Sequence, residues 1–262
     1  MELFSNEKIN ERLYRISLPG NVFAYLAVGN EKAMLIDTGF GIGSLKKYIN
    51  ENITKLPLIL YLTHGHLDHA GGALEFDEVY LNRGDLELAK EHTSIEKRRG
   101  ALGELPEELL LPPLPLEKYL PLNDGDEFDL GGMTVVTRAM PGHTAGSVCP
   151  LFKEDRVILL GDACNSLGFL QLDCSLPLSV YRDSLRKFLK YENEFDTVLF
   201  SHPHNFGDKS IVRATYELCC RVIDGEVKGV PKDGNLMAKP TDDKDRPFDG
   251  SCANFIYRSN NI

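Results

Sequence analysis

The sequence predicts an α/β protein in which two mixed β-sheets are flanked by helices, a four-layer αβ/βα sandwich. Three observations support this prediction. Short β-rich runs separated by turn residues open the chain, helices and strands then alternate, and a second group of strands follows. With 262 residues the chain can bury one continuous core, so a single domain over residues 1–262 is expected.

The first elements are three strands and a capped helix. The runs "RLYRISL", "NVFAYLAV" and "KAMLIDTG" are separated by "PG" and "GNEK", which is typical of a β-meander. In "GSLKKYIN" a serine cap precedes Leu45, Tyr48 and Ile49 at helical spacing. The continuous apolar run "LPLILYL" then predicts a strand that is buried on both faces.

Residues from about 84 to 120 interrupt this pattern, because they are helical and charged first and proline-rich afterwards. We expect this excursion to form a pocket wall and not a second domain. His92 within it is interpreted as a solvent-facing helix histidine. The charge run Lys97–Arg99 is interpreted as a solvated helix face, and anion binding is the weaker alternative.

The second half of the chain is predicted to contain more strands and two helices. Four strand-like runs come first: "DEFDL", "MTVVTRAM", "SVCPLF" and "RVILLGD". A helix, a strand, a helix and a last strand follow: "SVYRDSLRKFLKY", "DTVLFSH", "SIVRATYELCCRVIDGEV" and "SCANFIYR". The stretch "PKDGNLMAKPTDDKDRPFDG" before the last strand is interpreted as polar.

Composition and charge limit the partners. Hydrophobic residues make up 42% of the chain and charged residues 26%, which is ordinary for a soluble globular protein. The formal net charge of −10 opposes nucleic acids and anionic membranes, so a small-molecule substrate is expected instead. The start "MELFSNEKIN" has no export signal, and we expect a cytoplasmic protein. A homo-oligomer stays open.

Residues with metal-binding side chains follow four of the predicted strands. The apolar strand is followed by "THGHLDHAGG", which contains His64, His66, Asp68 and His69. Three later strands are followed by His143, Asp162 and His202. Because ligands gather outside the carboxyl ends of strands in α/β sheets, we expect these residues to meet. Neutral imidazoles and carboxylates suit Zn²⁺ or iron.

The motifs "HGHLDHAGG", "PGHTAGS", "GDA" and a strand followed by histidine resemble those of the metallo-β-lactamase superfamily. The resemblance runs from "LIDTG" to His202 and implies the αβ/βα sandwich with a binuclear metal site at one edge. It implies a first metal on His64, His66 and His143, a second on Asp68, His69 and His202, and Asp162 bridging both. Asp37 matches a family position at which we expect a hydrogen bond that fixes a ligand histidine.

The resemblance also implies the chemistry. Histidine at position 66 favours dizinc hydrolysis, since flavodiiron relatives commonly carry a carboxylate there. Two Zn²⁺ per chain are therefore expected, with iron as the alternative. Such a pair lowers the pKa of a shared water to about 7, and Asp68 would orient the hydroxide and later protonate the leaving group. Cys164 is expected to be structural.

Some positions around the site are ambiguous. Both His202 and His204 in "SHPHN" lie near a strand end; His202 fits the family pattern, and His204 is expected at the pocket rim. Asn165 stands where lactonases of the quorum-quenching type usually carry tyrosine, which argues against a lactonase. Tyr181 could approach the site from the next helix instead.

The predicted function is a dizinc hydrolase that cleaves a small ester, thioester or lactone. The first alternative is a mononuclear iron enzyme of the persulfide dioxygenase type, which would make less use of Asp68 and His69. The second alternative is a metal-binding domain without turnover. The sequence does not indicate the substrate.

Overall fold

Residues 3–103, 107–238 and 253–262 are described by the structure, which is a computed structural model. They fall into two units, Met1–Val136 (unit 1) and Thr137–Ile262 (unit 2), each of which is described by itself. This division does not decide the single domain expected over residues 1–262, which stays a prediction.

Unit 1 contains a seven-stranded mixed sheet whose strands lie in sequence order. The strands are β1 (Ser5–Lys8), β2 (Leu13–Leu18), β3 (Val22–Val28), β4 (Ala33–Ile36), β5 (Leu58–Tyr61), β6 (Glu78–Leu81) and β7 (Tyr119–Pro121). Strands β1 to β4 pair antiparallel, and β4 to β7 pair parallel. The predicted meander and the buried apolar strand are confirmed. Strands β1, β6 and β7 were not predicted.

Helix α1 (Leu45–Asn52) connects β4 to β5 and begins at the predicted serine cap. The Oγ atom of Ser44 accepts a hydrogen bond from the backbone N–H of Lys47 at 3.2 Å. An N-cap of this kind stabilises a helix by about 1 kcal/mol. Ile49 on this helix and Leu35 and Leu60 on β4 and β5 are fully buried in one apolar cluster, which is the core of unit 1.

The excursion is helical at first, as predicted, and then returns to the sheet. It contains α3 (Leu86–His92) and α4 (Ile95–Leu102), followed by 3₁₀ turns at Glu107–Leu109 and Leu116–Lys118. Residues 104–106 lie outside the described part. The segment ends in β7, which pairs parallel with β6, so the excursion supplies an edge strand as well as helices. Its role as a pocket wall stays a prediction.

Arg98 corrects the interpretation of the charge run in this excursion. Its side chain is fully buried, whereas Lys97 and Arg99 are exposed as predicted. The guanidinium donates hydrogen bonds to the backbone carbonyl oxygens of Phe40, Gly71, Thr93 and Leu111. Arg98 therefore ties the excursion to the loops that follow β4 and the histidine cluster, and it is neither a solvated residue nor an anion-binding one.

Replacing Arg98 with methionine is expected to lower the free energy of unfolding by about 3 kcal/mol, because buried carbonyl groups lose their donors. Arg98→Lys should restore only part of this, since lysine lacks the planar fork of donors. Urea unfolding measures both effects. The matched exposed variant Arg99→Met should change stability by less than about 0.5 kcal/mol, and equal losses at positions 98 and 99 would contradict the prediction.

Unit 2 contains strands from two sheets. Strand β9 (Thr134–Ala139) begins in unit 1, where β8 (Glu127–Asp129) pairs with its first part. Strands β8 and β9 belong to a five-stranded sheet, whose strands in unit 2 lie in the order β13-β11-β10-β9. Their bounds are β10 (Val148–Phe152), β11 (Val157–Leu159) and β13 (Thr197–Leu199). Strand β11 pairs antiparallel with β10 and parallel with β13. All of these strands were predicted.

A separate four-stranded sheet in unit 2 was not predicted. Its order is β12-β16-β15-β14, with β12 (Gly168–Leu170), β14 (Val230–Lys232), β15 (Asn235–Ala238) and β16 (Phe255–Tyr257). Only β16 was expected as a strand. Strands β14 and β15 belong to the stretch interpreted as polar, and β14 is exposed along its whole length, so it shows no hydrophobic alternation. Residues 239–252 lie outside the described part.

Helices α5 (Leu178–Phe188) and α6 (Ile211–Ile223) confirm the two helices predicted for the second half, and they pack against each other. Each buries one apolar face, with Leu185 and Leu218 almost inaccessible to solvent. No helix in the described part of the chain has the length and apolar character that crossing a membrane requires.

Candidate metal centre

The four predicted ligands of unit 1 follow strand β5 directly. His64 is 2% exposed, His66 6% and His69 0%, so three imidazoles are buried in one turn of the chain. His66 is the N-cap of the one-turn helix α2 (Leu67–Ala70), which carries Asp68 and His69. Asp68 is the most accessible of the four, with 24% of its side chain exposed.

His64 and His66 bring two nitrogen atoms together. The Nε2 atom of His64 lies 3.0 Å from the Nδ1 atom of His66, and the two rings are inclined by 76°. Two nitrogens bound to one tetrahedral zinc ion at ordinary distances are about 3.3 Å apart. The pair therefore has a spacing suited to two ligands of one ion. The ligand atoms of His69 lie within 4.8 Å of those of His64 and of Asp68.

Asp37 links the cluster to strand β4. Its Oδ1 accepts the backbone N–H of Thr63 at 2.8 Å, and its Oδ2 accepts the Thr63 hydroxyl at 2.7 Å. The same Oδ2 lies 2.8 Å from Nδ1 of His69. Asp37 is buried and has a φ of 64°, a left-handed conformation that aspartate tolerates better than most residues.

These contacts assign the proton positions on two histidines. A carboxylate can only accept, so His69 carries its proton on Nδ1. The Thr63 hydroxyl donates to Asp37, and its oxygen therefore accepts from Nδ1 of His64, which is 3.0 Å away. Both imidazoles thus have the lone pair on Nε2, the form that a metal ligand needs.

Two residues that sequence analysis did not place at the site contact the turn between His64 and His66. Asp85 is buried and accepts the backbone N–H of Gly65 at 2.9 Å. The ring of His92 stacks on that of His66, with centroids 5.0 Å apart and planes inclined by 17°. His92 is half-buried, so the prediction that it faces solvent is wrong. Burial, and secondarily the charge of Lys97, lowers the pKa of His92.

Unit 2 brings Asp162 and His202 together. The parallel strands β11 and β13 pair Leu159 with Leu199, and each predicted ligand lies three positions beyond that pair. This common offset places the Oδ2 atom of Asp162 3.2 Å from the Nε2 atom of His202. The spacing again suits two ligands of one ion.

His143 follows β9 and is 3% exposed. Its Nδ1 lies 2.8 Å from the carbonyl oxygen of Phe169, which can only accept, so the proton is on Nδ1 and the lone pair on Nε2. Within unit 2 this is the same arrangement that Asp37 imposes on His69 in unit 1.

Asn165 and His204 lie beside Asp162 and His202, respectively, in unit 2. The Asn165 amide donates to Gly161 at 3.2 Å and to Asp162 at 3.4 Å. The ring of His204 stacks on that of His202, with centroids 5.5 Å apart. Burial, followed by the neighbouring His202, lowers the pKa of His204. Of the two histidines in "SHPHN", His202 is the one whose ring nitrogen is hydrogen-bonded to Asp162.

Tyr181 contacts two turns of unit 2, one through its hydroxyl and one through its ring. Its hydroxyl donates to the carbonyl of Ala163 at 2.7 Å. Its ring lies against Gly142, where a Cβ atom would come within 2.0 Å of the Tyr181 Cδ2 atom. Only glycine fits beside this ring. The hydroxyl of Tyr181 is thus bonded to the backbone next to Asp162.

Cys164 is completely buried, and this burial raises the pKa of its thiol to about 11. At pH 8 we expect native Cys164 to be alkylated by iodoacetamide about 10²-fold more slowly than an ordinary thiol, because little thiolate is present. Timed labelling and peptide mass spectrometry measure this, with the half-buried Cys220 as internal reference. Equally fast labelling of Cys164 and Cys220 would contradict the structural role.

Comparisons with known proteins bear on this centre. The family described as "Metallo-beta-lactamase superfamily" matches residues 18–205, a range that contains every predicted ligand. The human "Acyl-coenzyme A thioesterase MBLAC2" is 26% identical over 229 residues, 78% of this chain and 80% of that protein. "Hydroxyacylglutathione hydrolase 1" of Vibrio vulnificus is 23% identical over 199 residues, 72% of this chain and 70% of that protein.

Solved structures of low sequence identity share the fold. "Metallo-beta-lactamase from Pontibacter korlensis" has a TM-score of 0.62 and 20% identity, and the likeness covers 83% of this chain and 99% of that one. The predicted α/β sandwich class is confirmed, with the four-stranded sheet of unit 2 as an addition that was not predicted.

Proposed function

Because the chain belongs to the metallo-beta-lactamase superfamily, we propose that it is a binuclear zinc hydrolase that cleaves small acyl thioesters. The observation that carries the proposal is that each unit presents a closely spaced pair of metal-type donor atoms. These pairs are His64 with His66 at 3.0 Å, and Asp162 with His202 at 3.2 Å.

The donor set fits zinc. Imidazole nitrogens and carboxylate oxygens are its usual ligands, and the contacts of His64, His69 and His143 leave the lone pair on Nε2 in each case. In the proposed centre, His64, His66 and His143 would hold one ion, Asp68, His69 and His202 would hold the other, and Asp162 would be a ligand of both. When bound, the ions would supply a hydroxide at neutral pH and polarise the substrate carbonyl.

Asp68 is proposed to move the proton. Its Oδ2 atom lies 3.7 Å from Nε2 of His69, and it is the accessible carboxylate of the cluster. A carboxylate in this position can accept a proton from the attacking water and pass it to the departing sulfur. The carboxylate of Asp37 cannot do this, because it is buried and already accepts hydrogen bonds from Thr63 and His69.

The thioester is favoured over the ester and the lactone by two observations. The human relative is named as an acyl-coenzyme A thioesterase. In addition, Asn165 and Tyr181, the two residues considered for a lactonase role, bond Asp162 and the Ala163 carbonyl respectively. We therefore propose an acyl group joined to a small thiol as the substrate class.

A panel of matched substrates tests this proposal. The purified protein should hydrolyse acyl-coenzyme A or acylglutathione thioesters at least about tenfold better, in kcat/KM, than the corresponding oxygen esters and lactones. Dipicolinate should abolish the activity and zinc should restore it. Preferred lactone cleavage, or turnover that survives chelation, would overturn the proposal. Oxygen consumption with a persulfide would favour the iron alternative, and metal binding without any turnover would favour a non-catalytic domain.

The proposed setting is the cytoplasm, with a small-molecule substrate and with neither a nucleic acid nor a membrane as partner. Free, buried cysteines such as Cys149, Cys164 and Cys219 are compatible with a reducing compartment. The net charge of −10 disfavours polyanionic partners. The proposed reaction requires no second copy of the chain, so a homo-oligomer stays open.

A further inference from the structure

Helix α3 touches the turn that carries His64 and His66 without any intervening side chain. A Cβ atom at Gly65 would lie 2.8 Å from the carbonyl oxygen of Asp85 and 2.9 Å from the backbone nitrogen of Ala89. Both are backbone atoms, which cannot move aside cheaply. Glycine at position 65 thus allows the helix to pack directly on the ligand turn.

The N-terminal end of helix α3 is hydrogen-bonded to the backbone of Gly65, between His64 and His66. Asp85, its N-cap residue, is 1% exposed, and its Oδ2 accepts the Gly65 N–H at 2.9 Å. A hydrogen bond from a backbone N–H to a buried carboxylate is charge-assisted and strong. The position of helix α3 relative to the turn is therefore fixed.

The C-terminal end of helix α3 contacts the imidazole of His66. His92 is the last residue of the helix, and its ring is nearly parallel to that of His66, with 5.0 Å between centroids. The Nδ1 atom of His92 is buried and has no hydrogen-bond partner among the described residues. His92 thus contacts His66 through its ring face, and its buried nitrogen contributes no bond.

We infer that His92 is a positioning residue for the metal centre, which holds the plane of His66 so that its Nδ1 stays beside Nε2 of His64. The inference rests on the proposed function, because it takes His66 to be a metal ligand. Through His92 the excursion would thus help to position a metal ligand, a role beyond that of the pocket wall predicted from the sequence. Outer contacts that orient a ligand typically change metal affinity by about 10- to 100-fold when they are removed.

Three variants separate the ring face from the nitrogen atoms. His92→Ala removes the stacking, His92→Phe keeps a ring without nitrogen, and Lys90→Ala is an exposed control on the same helix. The metal-free variants are titrated with Zn²⁺ against a chromophoric chelator, and with Co²⁺ to record the visible spectrum. His92→Ala should weaken metal binding about tenfold or more and shift the Co²⁺ bands, while the other two should stay within about threefold of the unsubstituted protein.

Two results would overturn the inference. Unchanged metal affinity and Co²⁺ spectrum in His92→Ala would show that stacking does not position His66. A loss in His92→Phe as large as that in His92→Ala would show that a nitrogen atom is needed. Because metal binding is measured without substrate, a protein that binds zinc but cleaves no thioester would refute the proposed function alone. A protein that binds neither metal would refute both.

Discussion

Alanine in place of His202 is expected to reduce thioester turnover by about 10³-fold, whereas alanine in place of His204 should cost less than about tenfold. The two residues stand two positions apart and their rings are stacked. Of these two histidines, His202 has a hydrogen bond with Asp162 in the described part of the chain, at 3.2 Å. In the proposed centre His202 would be a ligand, whose removal forfeits several kcal/mol of electrostatic stabilisation, whereas removal of His204 would remove only a ring that packs on it.

The measurement is kcat/KM on the best thioester, together with zinc bound per chain, for the two variants purified in parallel. His202→Ala should lose part of its zinc as well as its activity. The opposite order, with His204→Ala inactive and His202→Ala active, would make His204 the ligand. Equal, small losses would argue that neither residue binds the metal.

Asparagine in place of Asp37 should lower turnover and metal affinity by roughly 10²-fold while the backbone is retained. Asparagine tolerates the φ of 64° nearly as well as aspartate, so the substitution isolates the chemistry. The Asp37 oxygens accept from Thr63 twice and from His69 once. The asparagine amide has one oxygen and one NH₂ group. Its NH₂ group must therefore face at least one of these donors, and it cannot accept a hydrogen bond from it.

If the NH₂ group faces His69, the imidazole must move its proton from Nδ1 to Nε2, and it is then in the wrong form to bind a metal. Zinc titration and steady-state kinetics measure the effect. Asp77→Asn is the matched control in unit 1, because Asp77 is exposed and pairs only with Lys46 among the ion pairs described. Full activity and metal affinity in Asp37→Asn would contradict the assigned role.

Local patterns were sufficient to predict much of the fold. Strand β5 is an uninterrupted apolar run, and helix α1 has both a serine cap and apolar residues at helical spacing. Such signals depend on neighbours in sequence, so they survive without knowledge of the tertiary structure. Strands β1 and β14 lack them, because their residues are exposed throughout and show no alternation.

The parts of the candidate site that could be anticipated are those set by strand ends. Asp162 and His202 follow paired parallel strands at the same offset, which brings them together. The contacts of Asp85, His92 and Arg98 could not be anticipated, because each depends on how the excursion packs against the sheet. A buried arginine within a charged helix has the same sequence signature as an exposed one, and only its hydrogen bonds to carbonyls distinguish it.

Elemental analysis of the protein, purified without added metal, tests the central proposal most directly. A binuclear zinc hydrolase predicts about two zinc ions per chain. A content of about one iron ion per chain would contradict it and direct the search to oxygen chemistry on persulfides, and protein that retains no metal and takes up none on titration would contradict a metal centre altogether.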